Sequence, residues 1–246
     1  MRYLILSDLH SNLEASLAVV REARECGYDR AVVLGDLVGY GASPNEVVQL
    51  VRDLKPLAAI RGNHDKVVAG IGEGGDFNEI ALEAALQNRR VLLTGHREYL
   101  VELTPGPLRV DNRFLIAHGT PENEDEYLLD ASDAARIFLA TDFSLCFFGH
   151  THIPGAFGLE EGEVMRWSAG EKVSVLPLEP DKRYLANPGS VGQPRDKDPR
   201  ASFGLYDDRT CQFSIHRVPY EIDHAQERMI RAGLPPVLAK RLQFGL

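Results

Sequence analysis

The first 62 residues alternate three short β-rich runs with two helical segments, and this alternation constrains the fold more than any other feature. The runs are RYLILS (2–7), AVVLG (31–35) and PLAAIRG (56–62). A βαβαβ order is typical of a mostly parallel sheet with crossover helices. Asn12 and Ser43 are favourable N-caps for the two helices, and Pro44 suits a first helical turn. We therefore predict an α/β fold.

The alternation continues and then changes character. Strands are predicted again at RFLIAH (113–118) and LCFFGH (145–150), with a helix at about 131–140 between them. The intervening segment, about 66–112, is helical over much of its length and predicts a small helical cap insertion. After Pro154, hairpin-like pieces predict a largely antiparallel set of strands. A helical tail is predicted at about 221–246, and we expect residues 1–246 to form a single domain.

Composition narrows the classes of protein to which the chain can belong. With 246 residues, of which 44% are hydrophobic, the chain can bury a sizeable core in one domain. No signal peptide and no run of about 18 apolar residues is evident. The three cysteines, Cys26, Cys146 and Cys211, are far apart, so neither a disulfide framework nor a thiolate zinc site is indicated. We expect a cytoplasmic protein.

Five successive predicted strands end in residue types that bind metal ions. These ends read SDLH (7–10), GD (35–36), GNHD (62–65), AHG (117–119) and GHTH (149–152). In open α/β sheets the carboxyl ends of strands converge on one crevice, so these side chains should lie together. Five of the eight histidines are at these ends. The other three, His96, His216 and His224, are expected to be solvated or to lie at the edge of the core.

The last of these ends carries two histidines one residue apart. His150 and His152 follow an apolar run and precede Pro154. In extended backbone, alternate side chains point to one face, which would let both imidazoles bind at one site.

Each fragment alone also has a structural interpretation. Asp8-Leu9-His10 could be a turn whose carboxylate accepts backbone hydrogen bonds. His118 could be a hydrogen-bonded histidine, and Asn63 a left-handed turn residue. The occurrence of all five fragments in this order favours a metal site.

Together the fragments resemble the motifs of the calcineurin-like metallophosphoesterases: D-x-H, G-D, G-N-H-D/E, H and G-H-x-H. In this chain they are Asp8-Leu9-His10, Gly35-Asp36, Gly62-Asn63-His64-Asp65, His118 and Gly149-His150-Thr151-His152. NPGSVGQPR (187–195) resembles the element that follows them in the small bacterial and archaeal phosphodiesterase branch. The resemblance implies a four-layer fold, a β-sandwich flanked by helices.

The resemblance also implies a dinuclear centre that Asp36 bridges. One metal ion would be held by Asp8, His10, Asp36 and His152, and the other by Asp36, Asn63, His118 and His150. His64 would be the catalytic residue that protonates the leaving oxygen or stabilises developing charge. The reaction implied is phosphoester hydrolysis by a metal-bridging hydroxide, without a covalent enzyme intermediate.

The chemistry of the donor atoms agrees with two divalent ions. Carboxylate and amide oxygens mixed with imidazole, without thiolate, suit Mn²⁺, Fe²⁺, Ni²⁺ or Zn²⁺, and we take manganese as the first choice. Two-metal sites generate hydroxide near neutral pH and stabilise phosphoryl transfer. Their positive charge would attract a phosphate even though the chain carries a net charge of −9.

The sequence constrains the identity of the substrate less than it constrains the metal site. Protein serine/threonine phosphatases read GD-x-V-DRG, whereas this chain reads GDLVGYG, with Gly39 and Tyr40 in place of the aspartate and arginine. Loss of that arginine clamp favours phosphodiesters over monoester dianions. Arg61 or Arg195 could compensate, although a solvated or structural role is expected for each. A protein or small-molecule phosphomonoesterase and a non-catalytic docking scaffold of the same fold remain alternatives.

Expected partners follow from the charge and the motifs. We expect a small phosphoester substrate and neither broad nucleic-acid binding nor membrane association. The sequence does not decide whether the protein forms a homo-oligomer. The 66–112 cap is predicted to restrict substrate size, the alternative being a helix pair that only packs on the sheet.

Overall fold

A computed structural model describes all 246 residues, Met1–Leu246. The strands are β1 Arg2–Leu6, β2 Arg30–Val33, β3 Ala58–Ala59, β4 Leu108–Val110, β5 Phe114–Ile116, β6 Leu145–Phe147, β7 Gly155–Glu160, β8 Glu163–Ser168, β9 Val173–Pro177, β10 Arg183–Asn187, β11 Ala201–Asp207 and β12 Gln212–Val218. The helices are α1 Leu13–Cys26, α2 Pro44–Leu54, α3 Asn63–Ala69, α4 Glu79–Val91, α5 Thr94–Glu102, α6 Ala131–Ala140, α7 Ile222–Arg231 and α8 Pro236–Leu242.

The strands form two six-stranded sheets. The first has the order β3-β2-β1-β11-β12-β9, and the second has the order β4-β5-β6-β10-β7-β8. As the βαβαβ pattern predicts, β1, β2 and β3 are parallel. Most of the other pairings are antiparallel, and the exceptions are the parallel pairs β5–β6 and β6–β10.

Strand β1 is buried on both faces, which explains why its sequence is continuously apolar. Tyr3 and Ile5 belong to the core between the sheets, which also contains Phe147 of the second sheet. Leu4 and Leu6 point to the other side and pack with residues of α1 and α2. Both faces of β1 are therefore covered, as in parallel sheets flanked by helices.

Helix α6 covers the outer face of the second sheet. Its Ile137 and Phe138 pack with Cys146 of β6 and Leu185 of β10. The molecule therefore has four layers, in the order helix, sheet, sheet, helix. The predicted α/β sandwich flanked by helices is confirmed.

The predicted helix starts agree with the structure in all but one detail. Asn12 caps α1 through its side chain, which accepts a 3.1 Å hydrogen bond from the Ala15 amide. Pro44 opens α2, as expected. The prediction that Ser43 caps α2 is wrong at the side chain, because the Ser43 hydroxyl makes no cap bond and is buried without a partner.

The predicted cap insertion differs from the structure at both boundaries. Helix α3 begins at Asn63, before the predicted start at 66, and residues 108–110 form β4, which pairs with β5. The helical part of the insertion therefore ends at Glu102. Helices α7 and α8 occupy the predicted tail. None of the helices combines the length and apolarity required to cross a lipid bilayer.

Candidate metal centre

The five polar strand ends meet at one edge of the sandwich. Strands β1, β2 and β3 supply them from the first sheet, and β5 and β6 from the second. The expectation of one open sheet is therefore too simple, since two facing sheets contribute. Hydrogen bonds join the two sets: the His118 imidazole contacts the Leu34 carbonyl at 2.8 Å, and the His150 amide donates to Asp8 at 3.2 Å.

Two buried groups of side chains in this edge could each hold a metal ion. One contains Asp8, His10, Asp36 and His152, and the other contains Asp36, His118 and His150. Within each group the candidate ligand atoms all lie within 4.8 Å of one another. Asp36 belongs to both groups. Asn63 joins the second, because its amide oxygen lies 3.2 Å from His118 Nε2. All seven predicted ligand residues are thus brought together.

The two carboxylates are oriented by the protein so that one oxygen of each is left over. Asp8 Oδ2 accepts from Ser7 and from the His150 amide, and Asp36 Oδ1 accepts from the His64 amide. Three buried atoms have no hydrogen-bond partner: Asp8 Oδ1, Asp36 Oδ2 and His150 Nε2. Leaving buried polar atoms unsatisfied is costly, and metal ions bound in the two groups would satisfy all three.

The imidazoles of His10 and His152 face each other in a way that suits a cation. Each Nδ1 lies against a backbone carbonyl, of Val38 at 3.1 Å and of Gln193 at 2.6 Å, and must carry the proton to donate. The two Nε2 atoms then present lone pairs to each other at 3.0 Å. A metal ion between such atoms would replace repulsion with coordination, and carbonyl bonds of this kind commonly orient histidine ligands.

The backbone at these residues is strained. Asp8, His10, Asp36, His150 and His152 all have left-handed φ values, between 47° and 63°. Such conformations in non-glycine residues persist where the surroundings impose them and cluster at functional sites. The expectation that His150 and His152 share a face of extended strand is therefore wrong. Two left-handed turns, rather than strand pleating, direct them toward one centre.

The segment 187–195 holds two of the site loops in place. The Asn187 side chain donates to the Gly149 carbonyl and to the Thr151 hydroxyl, at 2.9 and 3.0 Å. Ser190 donates to the Asp8 carbonyl at 2.8 Å. These hydrogen bonds from segment 187–195 therefore fix the positions of the DLH and GHTH loops.

The cap helix α4 also contributes to the site. Its buried Asn88 accepts hydrogen bonds from the Gly39 amide and the Ser11 hydroxyl, and donates to the Gly41 carbonyl. The cap is thereby connected to the loop that follows Asp36.

Asp65, the last residue of GNHD, acts on the same loop. Its carboxylate accepts from the amides of Leu37, Val38 and Gly62. Burial, together with the charge of Asp36, raises its pKa to about 7. These three bonds indicate that Asp65 shapes the loops around the centre.

His64 is buried among aromatic side chains. Its ring centroid lies 4.4 Å from both Tyr40 and Phe77. A Cβ at Gly39 would come within 2.3 Å of His64 Nδ1, so no aspartate fits at position 39 with His64 in this place. Nδ1 makes no hydrogen bond, and burial lowers the pKa of His64 to about 4.

The carboxylates and imidazoles of this cluster shift one another's pKa values. Burial disfavours charge on Asp36, yet His118 and His64 hold the pKa of Asp36 well below its usual range. His118 is likewise opposed by burial, but the nearby Asp36 carboxylate raises its pKa to about 10. For His10 and His150 burial prevails and lowers the pKa, in His150 to about 3. Neutral imidazoles are the form that binds metal ions, so His10 and His150 are already in that form, whereas His118 must lose its proton when an ion binds.

A crevice of about 310 Å³ opens onto the centre and contains two residues that sequence reasoning undervalued or missed. Arg195, for which a solvated or structural role was expected, lies in its wall, with its guanidinium carbon 5.5 Å from the centre of the Tyr40 ring. Tyr127, not predicted, stacks on His150 with centroids 3.8 Å apart. The sequence signal that could have identified Tyr127 is its position a few residues after AHG (117–119). Arg61 instead pairs with Glu124, in agreement with the structural role expected for it.

The three remaining histidines lie away from the centre. His96 contacts Asn45 and Gln49, His216 stacks on Phe203, and His224 is exposed on α7. These placements confirm their expected exclusion from the site.

The fold and this cluster define a class of protein, and the comparisons with known proteins identify it. Residues 1–210 match the calcineurin-like phosphoesterase superfamily domain. A metallophosphoesterase from Sphaerobacter thermophilus has 39% sequence identity and a TM-score of 0.88, over 100% of this chain and 99% of that chain. The chain belongs to the calcineurin-like phosphoesterase superfamily, whose members are metal-dependent phosphoesterases.

Two further proteins extend the comparison. An uncharacterized protein of Methanocaldococcus jannaschii is 37% identical over 249 residues, which cover 98% of this chain and 97% of that protein. A hypothetical protein from Pyrococcus horikoshii OT3 has the same fold, with a TM-score of 0.79 at 19% identity over 100% of this chain and 98% of that chain.

Proposed function

We propose that this protein hydrolyses phosphodiester bonds of a small substrate with two divalent transition-metal ions. The observation that carries the proposal is the pair of overlapping buried groups that share Asp36. Asp8, His10, Asp36 and His152 would hold one ion, and Asp36, Asn63, His118 and His150 the other. Bound there, the ions would activate water near neutral pH and neutralise charge on the phosphoryl oxygens.

The other contributions come from side chains of the crevice. His64 is neutral at physiological pH by the pKa given above, and a neutral imidazole can still donate one hydrogen bond to an oxygen that gains charge. Tyr40 and Phe77 hold its ring in place. Arg195 brings a positive charge to the same crevice for a phosphate oxygen.

The contacts of Arg195 favour a diester over a monoester. Both bidentate arrangements of a guanidinium use Nη2, the nitrogen that here donates to the Tyr40 hydroxyl and to Gln193, at 3.1 and 3.0 Å. Arg195 is therefore not free to grip two oxygens of a dianion without losing a bond. A diester, with one charge fewer, needs only the remaining single contact.

The test is a substrate panel on metal-free protein reconstituted separately with Mn²⁺, Fe²⁺, Ni²⁺ and Zn²⁺. We expect kcat/KM for bis(p-nitrophenyl) phosphate to exceed that for p-nitrophenyl phosphate with the best metal, and no turnover without metal. Asp36→Ala, prepared in the same way, is the control for contaminating phosphatase and should be inactive with every ion.

The alternatives give different results in this panel. Preference for the monoester would identify a phosphomonoesterase. Absence of turnover in fully metallated protein would identify a docking scaffold of the same fold.

A further inference from the structure

A groove of about 640 Å³ lies beside the crevice, along the C-terminal helix α8. Tyr40, Asn78, Tyr127 and Arg195 line both the groove and the crevice. The two cavities therefore adjoin along these four residues, and a molecule bound at the metal centre can reach the groove.

The charged side chains that line the groove are all positive. They belong to Arg195, Lys240 and Arg241, and no acidic side chain lines the groove. None of these three side chains forms an ion pair with a carboxylate side chain of the protein. In a chain with a net charge of −9, three neighbouring cations without carboxylate partners indicate a site for an anion.

The acidic side chains of the crevice come from other segments. Glu73 and Asp76 belong to the 70–76 loop, and Asp125 pairs with Lys66. A polyanionic substrate is thus repelled by the 70–76 loop and attracted by α8. This asymmetry favours one direction of binding.

The cations of the groove are held on an anchored element. Leu238 and Leu242 of α8 are buried in a cluster that also contains Tyr40 of the site. The Lys197 amide donates to the Gly245 carbonyl at 2.9 Å, which ties the end of the chain to the loop that carries Arg195. Lys240 and Arg241 therefore keep a fixed relation to the metal centre.

The groove also offers aromatic faces. The side chains of Tyr127 and Phe244 are 45% and 48% exposed, although both are large and apolar. Exposed aromatic rings beside cations can stack nucleobases while the cations bind phosphate.

We infer that the groove is a second subsite, which binds an additional phosphate of a nucleotide substrate whose scissile diester lies at the metal centre. The inference rests on the proposed function and specifies its substrate class. Arg195 lies between the two phosphates, and Lys240 with Arg241 binds the outer one.

The test uses two chromogenic esters that differ only in the outer phosphate. These are thymidine 5′-(p-nitrophenyl phosphate) and its 3′-phosphorylated form, which share the leaving group and the scissile phosphate. With wild-type protein we expect kcat/KM to be about tenfold higher for the 3′-phosphorylated ester, the effect of two partly exposed ion pairs. In the double variant Lys240→Gln/Arg241→Gln the ratio should fall to near one.

A matched control removes the same charge from outside the groove. Arg228→Gln/Arg231→Gln changes two exposed arginines of α7 that pair with Glu14 and Glu227. The tenfold preference should persist in this variant. Loss of the preference in both double variants alike would show a general effect of charge and would overturn the subsite.

A binding measurement separates the subsite from the proposed hydrolysis. By calorimetry, wild-type protein should bind thymidine 3′,5′-bisphosphate about tenfold more tightly than thymidine 5′-phosphate, and Lys240→Gln/Arg241→Gln should bind both alike. If the preference is found while neither ester is hydrolysed, the subsite stands and the diesterase proposal falls. If both esters are hydrolysed and both ligands bind equally to wild-type protein, the subsite is wrong and the diesterase proposal stands.

Discussion

At the scale of single residues, His64 is distinguished from its neighbours by its contacts. It touches Gly39, Tyr40 and Phe77, whereas Asn63 and His118 point their polar atoms at one another within the centre. A side chain that lies beside the metal groups without joining them can act on the substrate without holding an ion.

We therefore expect His64→Ala to retain two metal ions and to lose turnover. The loss should be about 10²–10³-fold for alkyl esters, whose leaving oxygen gains the most negative charge and depends most on the hydrogen bond that neutral His64 donates, and should be smaller for nitrophenyl esters. The measurement is metal content together with kcat on both ester types.

Asn63→Ala is the comparison variant and should lower metal affinity and turnover together. A loss in His64→Ala that is equal for both esters would mean that His64 donates its hydrogen bond to a phosphoryl oxygen rather than to the leaving oxygen. Loss of metal from His64→Ala would contradict its placement outside the ligand set.

At the scale of elements, the loop 70–76 connects α3 to the cap helix α4 and lines the crevice. Phe77, at its end, packs on His64 with ring centroids 4.4 Å apart, so the position of the loop bears on both the entrance and the ring of His64. We therefore predict that the cap restricts the size of the substrates that enter.

Deletion of Gly74 and Gly75 should widen the entrance and raise the activity toward bulky diesters relative to small ones. The measurement is the ratio of kcat/KM for thymidine 5′-(p-nitrophenyl phosphate) to that for methyl p-nitrophenyl phosphate. Deletion of the exposed Gly170, in the β8–β9 connection, is the control. An identical response of both esters to the loop deletion would mean that the cap only packs on the sheet.

The elements also show which parts of the site could be predicted from the sequence. Asp8, Asp36 and His118 each follow a short apolar run, and such runs have their carboxyl ends at a common edge, so the ligands could be located from local patterns. The contribution of the other regions depends on long-range packing. Nothing local to the tail indicates that α8 lies beside Arg195, because that contact arises from a buried cluster with Tyr40.

The left-handed turns at His150 and His152 were missed for a related reason. The apolar run before them predicts extended backbone, and the competing carbonyl and carboxylate contacts come from residues far along the chain. Tertiary contacts therefore override the local preference at these positions.

At the scale of the whole molecule, stability should depend on pH through a buried histidine outside the site. Burial, aided by Arg2 and Lys172, lowers the pKa of His216 to about 4. The unfolded chain takes up a proton there near pH 6.5. The stability that the protein gains from keeping His216 neutral is therefore fully present above about pH 6.5. It is lost as the pH falls toward 4.

His216→Gln should flatten the dependence of the free energy of unfolding on pH between about 4 and 6.5. Urea denaturation of metal-free wild-type and variant protein across this range measures the difference, in which the contributions of the metal-site histidines cancel. His224→Gln, on exposed α7, is the control. Parallel curves for wild-type protein and His216→Gln would show that His216 does not titrate with folding.

The central claim is that Asp36 lies between two metal ions, and anomalous scattering tests it most directly. Crystals of protein loaded with Mn²⁺, measured on both sides of the manganese absorption edge, should give two peaks about 3.5–4 Å apart. One peak should lie among Asp8, His10 and His152, and the other among Asn63, His118 and His150, with the Asp36 carboxylate between them. A single peak at full occupancy, or peaks that do not contact Asp36, would contradict the account.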